Sequence, residues 1–207
     1  YRAILGIRHS WLSREIAAFG LFIALCFLSA SLSWSDSAWL NLSLSVAALA
    51  GLAGVMASAM IYHVTHRPFW NVAQSAPAFL SAVSGMGSIV VLWTLSFNAI
   101  DTGGETRRFL ACTAVVSAAI KLWLLLTRLR RNTPAETSKL LRTRLMSEVQ
   151  QQTAGNIVFM VMCIMLCLRP VGTHATLVAT LAVCGALSAE FTERYLFFRA
   201  VVPLRMP

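Results

Sequence analysis

The amino-acid sequence predicts an all-α fold, a polytopic transmembrane helix bundle, and three observations carry that prediction. Hydrophobic residues fill 57% of the 207 positions and charged ones only 12%, for a mean hydropathy of +0.70. Long, nearly charge-free windows recur along the chain, each able to take a helix across roughly 30 Å of hydrocarbon at about 1.5 Å per residue. The charged residues collect in short stretches between those windows, which leave little chain for a soluble domain.

Six spans follow in order, at residues 15–34, 38–62, 76–100, 109–127, 154–169 and 175–198, and residues 1–207 read as a single transmembrane helical domain. Glu15 opens the first. The second carries Ala50, Gly54 and Ser58 four residues apart, and the third Ser81 and Gly85, spacings that let helices approach closely inside a bilayer. The fourth contains one charge, Lys121. The fifth is short, cut by Arg169-Pro170, and can reach back through Thr153; the sixth ends with Glu190 and Arg194. The chain starts at Tyr1 with a polar segment that lacks a signal-peptide pattern, so a fragment missing its own beginning is expected.

The net charge of +9 does not point to nucleic acid, because the basic residues sit between apolar spans, where headgroups and orientation account for them. If the spans alternate, the side of the N-terminus holds Arg2, Arg8, Arg14, Arg67, six basic residues from Arg128 to Arg144, and Arg194, Arg199 and Arg205. The other side holds Arg107, Arg108 and Arg169. Lys and Arg mark cytoplasmic loops, which places both ends in the cytoplasm.

The connection 128–153 is the longest. Thr133 and Glu136 make a capping box, Pro134 suits a first helical position, and Leu140, Leu141, Leu145 and Val149 line one side. A basic interfacial helix, or a solvated basic loop, is expected there.

Cys26, Cys112, Cys163, Cys167 and Cys184 all lie in apolar runs, which argues for packing rather than for disulfides or metal. His9, His63, His66 and His174 fall at span ends or in loops, unsuited to axial haem ligation inside a bundle. No nucleotide-binding loop, nucleophile elbow or metalloprotease helix occurs, so no catalytic residues are expected in this chain. No internal repeat supports a transporter of inverted halves.

Ionisable groups near the hydrocarbon are costly and mark function by default. Here they gather at one rim: Glu15, then Tyr62, His63, His66 and Arg67, then Glu190 and Arg194, with Lys121 able to reach the same layer. A quinone suits such a rim, since its tail belongs in lipid while its head exchanges protons along with electrons, and carboxylates and imidazoles can exchange those protons. Plainer readings stand beside this one: an ion pair between Glu190 and Arg194 one turn apart, headgroup-level histidines in an aromatic belt with Phe69 and Trp70, and a snorkelling Lys121.

Three stretches, RHSWLSREIAAFGLF at 8–22, ASAMIYHVTHRPFWN at 57–71 and ERYLFFRAVVPLRMP at 193–207, are similar to the membrane anchor subunits of dimethyl sulfoxide reductase and its relatives. The resemblance implies an eight-helix anchor without haem, of which this chain corresponds to the last six helices. A first helix pair and a His-Leu-Gly motif would lie before Tyr1. It further implies a membrane subunit in the bacterial cytoplasmic membrane that binds menaquinol or another quinone. Such a subunit holds an iron-sulfur subunit that connects to a molybdopterin catalytic subunit, with no metal of its own.

By that resemblance Glu15, in Ser13-x-Glu15-Ile16, is the leading quinone-binding residue, and Glu190 and Arg194 match a Glu-x-x-x-Arg spacing. His63, His66 and Lys121 complete the expected quinone set, and Arg67, Phe69 and Trp70 the expected docking contacts. The basic residues place Glu15 on the cytoplasmic side, whereas in the respiratory reductase the corresponding face is periplasmic; related sulfite dehydrogenases use a similar anchor in reverse. A passive structural anchor and a small-molecule transporter are the competing functions.

Overall fold

Six helices account for nearly all of the computed structural model, which describes residues 6–35, 38–65, 72–98, 104–130, 146–168 and 174–199. They are α1 (Trp11–Ser33), α2 (Leu40–Val64), α3 (Val72–Phe97), α4 (Gly104–Arg130), α5 (Met146–Leu168) and α6 (Ala175–Arg199). All six are long and apolar enough to cross a membrane, and the described residues contain no strand. The chain is thus the polytopic helical bundle that its composition predicts.

Several boundaries differ from the sequence reading, and two of them bear on the site. The fourth span runs on to Arg130, so Arg128 is helical rather than part of a loop. The fifth begins at Met146, so residues 146–153 of the long connection form its first two turns. The capping box at Thr133 and Glu136 lies outside the described residues. The helices group into two compact units, residues 1–76 and 77–207.

The first unit is built on the α1–α2 hairpin. Ser10 caps α1, its hydroxyl accepting from the Ser13 amide at 3.4 Å. Arg14 ties down the preceding turn by donating to the Ile7 and Arg8 carbonyls at 2.9 and 3.1 Å, with its guanidinium 4.3 Å from the Trp11 ring centre. Four pairings then fix an antiparallel register. Ser29 bonds Ser43 hydroxyl to hydroxyl at 2.7 Å, Phe22 lies on Gly51, Phe19 lies on Gly54, and Glu15 meets Ser58. A Cβ at position 54 would sit 2.8 Å from Cε1 of Phe19, so only glycine admits that ring. The buried α2 residues are all small, and Ser43, Ala47, Ala50, Gly54 and Ala57 recur every three or four positions, with Ala59 buried beside them.

The second unit packs α3 from Pro77 onward with α4, α5 and α6 in up-down order. Its stripes share the same spacing: Ala111, Ala114 and Ala118 on α4, Phe159, Cys163 and Leu166 on α5, and Ala179, Ala182 and Ala186 on α6 are buried together. A 3.5-residue repeat is the seam of left-handed helix packing. Helices α5 and α6 come closest. A Cβ on Gly155 would lie 3.1 Å from the Ala189 backbone nitrogen, and one on Gly185 would lie 3.2 Å from that of Phe159. At one end of the unit Arg107 donates to the Leu95 carbonyl at 3.3 Å and to Ser96 Oγ at 3.4 Å, while the Thr176 hydroxyl donates to the Ser96 carbonyl at 3.2 Å. The same end holds Cys112 and Cys167, sulfur to sulfur at 3.3 Å.

Candidate functional site

The inward stripe of α4 does not stop where its alanines stop. Continuing Ala111, Ala114 and Ala118 at the same spacing gives Lys121, Leu125 and Arg128, all buried. On α6 the stripe Ala179, Ala182, Ala186 and Ala189 continues to Glu193 and Leu196, and on α5 Val149, Gln152 and Asn156 precede Phe159. Because these helices are antiparallel neighbours, the polar members of the three stripes fall at one level, at the end opposite Arg107.

There they form a charge layer. The Lys121 ammonium pairs with Glu190 and, at 3.3 Å, with Glu193; Arg128 reaches the other oxygen of Glu193 at 3.8 Å. The side chains of Lys121, Arg128 and Glu193 are only 6, 7 and 8% exposed, and that of Glu190 is 16% exposed, so Glu190 stands at the edge of the layer. Two carboxylates and two cations cancel, which is what makes the layer tolerable within an apolar bundle. An unpaired buried charge costs far more than the pairing returns. One turn before Lys121, Ser117 bonds Ser84 at 2.8 Å.

The neutral members matter as much. Asn156 is 1% exposed; its amide nitrogen donates to the Gln152 carbonyl at 3.0 Å, and its Oδ1 has no hydrogen-bond partner among the described residues. Gln152 Oε1 is likewise buried without one. Asn156, Lys121, Glu190, Ser81, Gly85 and Phe159 line a cavity of about 10 Å³.

Arg194 takes no part in an ion pair with Glu190 among the described residues, contrary to the expectation from their spacing. Its guanidinium lies 4.2 Å from the Phe79 ring centre, and Glu190 turns to α4 because Lys121 offers a buried charge where Arg194 offers a half-solvated one. Lys121 does not snorkel; it points into the bundle.

In the first unit, Glu15 and Ser58 join the open end of the α1–α2 hairpin, both half-buried. Ser58 Oγ is also 3.1 Å from the Gly54 carbonyl. A hydroxyl has one hydrogen, so these two acceptors compete for it. With Glu15 ionised, Ser58 donates to the carboxylate; with Glu15 protonated, the acid can donate to Ser58, whose own hydrogen turns to Gly54. The pair therefore satisfies either protonation state. His63 occupies the last turn of α2 at the same hairpin end and is exposed, as are His9 and His174. His66, Arg67, Phe69 and Trp70 lie outside the described residues. Among the described residues no three His, Cys, Asp or Glu side chains converge on a metal-sized site.

Sequence reasoning singled out Glu15, Lys121 and Glu190 but missed Ser58, Arg128, Glu193, Gln152 and Asn156. The continuing stripes were the available signal.

A family-level sequence profile described as DMSO reductase anchor subunit (DmsC) matches residues 1–199. No curated protein and no solved structure matches the chain.

Proposed function

The chain belongs to the DMSO reductase anchor subunit (DmsC) family, and from that premise we propose that it is the quinone-reactive anchor of a molybdopterin and iron-sulfur oxidoreductase. Six membrane-crossing helices and the family together make it a multi-pass membrane anchor subunit. The finer reading is that it exchanges electrons between quinone or menaquinol and an iron-sulfur subunit, which passes them to or from a molybdopterin catalytic subunit. The membrane is the bacterial cytoplasmic one. A quinone supplies the two-electron, two-proton chemistry when bound; the chain supplies lodging and proton exchange.

The observation that carries this reading is the Glu15–Ser58 pair. It places a carboxyl group, half-buried at one end of an apolar hairpin, beside a hydroxyl that accommodates it with or without its proton. A group that must take up and release protons next to lipid needs such a partner, because neither form is then left unsatisfied. His63, at the same end, and His66 serve as further hydrogen-bond partners for a quinone oxygen. Lys121, Glu190 and Arg194 form a second set in the other unit, with Glu190 the member open to exchange. Arg67, Phe69 and Trp70 serve as docking contacts for the iron-sulfur subunit. The basic loops favour a cytoplasmic location for the Glu15 end.

The test is Glu15→Gln in the assembled complex. Quinone-coupled turnover is expected to be abolished while electron delivery from a water-soluble dye to the catalytic subunit persists. Unchanged quinone turnover would remove Glu15 from the mechanism and leave a passive anchor. A reporter fused after Pro207 and active only outside the cytoplasm would reverse the orientation.

A further inference from the structure

The charge layer of the second unit borders a small chamber whose chemistry does not depend on any quinone. Its walls include Lys121 from α4, Asn156 and Phe159 from α5, Ala186 and Glu190 from α6, and Ser81 and Gly85 from α3. We propose that this chamber is a binding site for one resident water molecule, which joins Lys121 to Asn156.

Three observations carry the proposal. The first is size: the cavity of about 10 Å³ matches what the centre of a single water needs, roughly 10–15 Å³. The second is unused hydrogen-bonding capacity on two different helices that line it. Asn156 spends its amide nitrogen on the Gln152 carbonyl, so Oδ1 is the atom with no partner among the described residues, and the side chain is 1% exposed. Lys121 has three N–H donors and two carboxylate partners, Glu190 and Glu193, which leaves one donor over. Ser81 donates its hydroxyl hydrogen to the Ala78 carbonyl at 3.0 Å and keeps lone pairs available.

The third observation is polarity. A cavity walled only by methyl and ring carbons stays dry, whereas one with two to four polar partners holds water. A water here accepts from the Lys121 ammonium and donates to Asn156 Oδ1 and Ser81 Oγ, the three bonds typical of a buried water. It thus completes the layer that the ion pairs leave unfinished. It also extends a hydrogen-bonded chain from Glu190, the member of the layer nearest its edge, through Lys121 to the interior of α5.

Radiolytic hydroxyl labelling of the full chain in membranes tests this. Radicals generated from a bound water mark the side chains beside it, and Phe159 is only 4% exposed. After correction for each residue type's rate in the unfolded chain, Phe159 is expected to be labelled well above Leu92 and Ile89, which are also buried, at 2% and 0% exposed, but do not line the chamber. In Asn156→Leu, similar in size and without the acceptor, labelling of Phe159 is expected to fall to the Leu92 level while exposed Trp93 is unaffected. If that variant does not accumulate, Ala186→Val fills the chamber from the α6 side, and the same loss is expected. Phe159 labelled no faster than Leu92 in the unaltered chain, or labelled equally in the filled variant, overturns the proposal. Neither outcome bears on Glu15.

Discussion

Lys121 on α4 and Glu193 on α6 meet at 3.3 Å with both side chains more than nine-tenths buried. Lys121 serves two carboxylates at once, so the four charges are not interchangeable. Lys121→Met leaves both Glu190 and Glu193 without their ammonium, and breaking a buried pair from one side costs about 3–5 kcal/mol. Unfolding of the detergent-solubilised chain is expected to show that loss. Adding Glu190→Gln to Lys121→Met is expected to recover part of it, because Glu193 keeps Arg128, and Glu190→Gln alone to cost least because Glu190 is the most exposed member.

Glycines divide sharply by what surrounds them. At Gly155 a methyl group meets the Ala189 backbone, which cannot swing aside, so Gly155→Ala is expected to destabilise the second unit by about 1–3 kcal/mol. At Gly87 nothing lies within 4 Å, and Gly87→Ala is expected to stabilise by about 0.5–1 kcal/mol through helix propensity alone. Paired unfolding curves check the opposite signs.

Ser58 gives a graded companion to the Glu15 test. Ser58→Ala keeps the carboxyl but removes its partner, and a hydrogen bond to a charged group is worth about 1.5–3 kcal/mol. Quinone-coupled turnover is therefore expected to fall by roughly 10- to 100-fold, with Ser58→Thr retaining most of it and the dye assay unchanged. Equal rates for Ala and Thr would show that the hydroxyl has no part in proton exchange.

Cys112 and Cys167 report on helix register. With sulfurs 3.3 Å apart, brief copper-catalysed oxidation is expected to join the peptides of α4 and α5, whereas Cys26 and Cys184 stay unlinked. Mass spectrometry of a digest reads the result, and Cys112→Ser is the control.

The helices and their number were legible because apolar length alone marks a membrane span. Their ends were less so, since Arg128 reads as a loop residue until its partner Glu193 is known. Glu190 and Arg194 show the limit most clearly. Spacing along one helix suggests a pair, but a carboxylate chooses among all the cations that folding brings near, and Lys121 comes from a helix some 70 positions away in sequence. Asn156 and Gln152 carried no charge to draw notice. Ser58 was noted as a small packing residue, and only the hairpin register reveals its carboxylate partner.

Arg107 closes the far end of the second unit. The last carbonyls of a helix have no amide ahead of them, and in hydrocarbon no water replaces it. Here Arg107 and Thr176 supply the missing donors to Leu95 and Ser96 from within the protein. The end of α3 therefore asks less of water or headgroups than a bare helix end would.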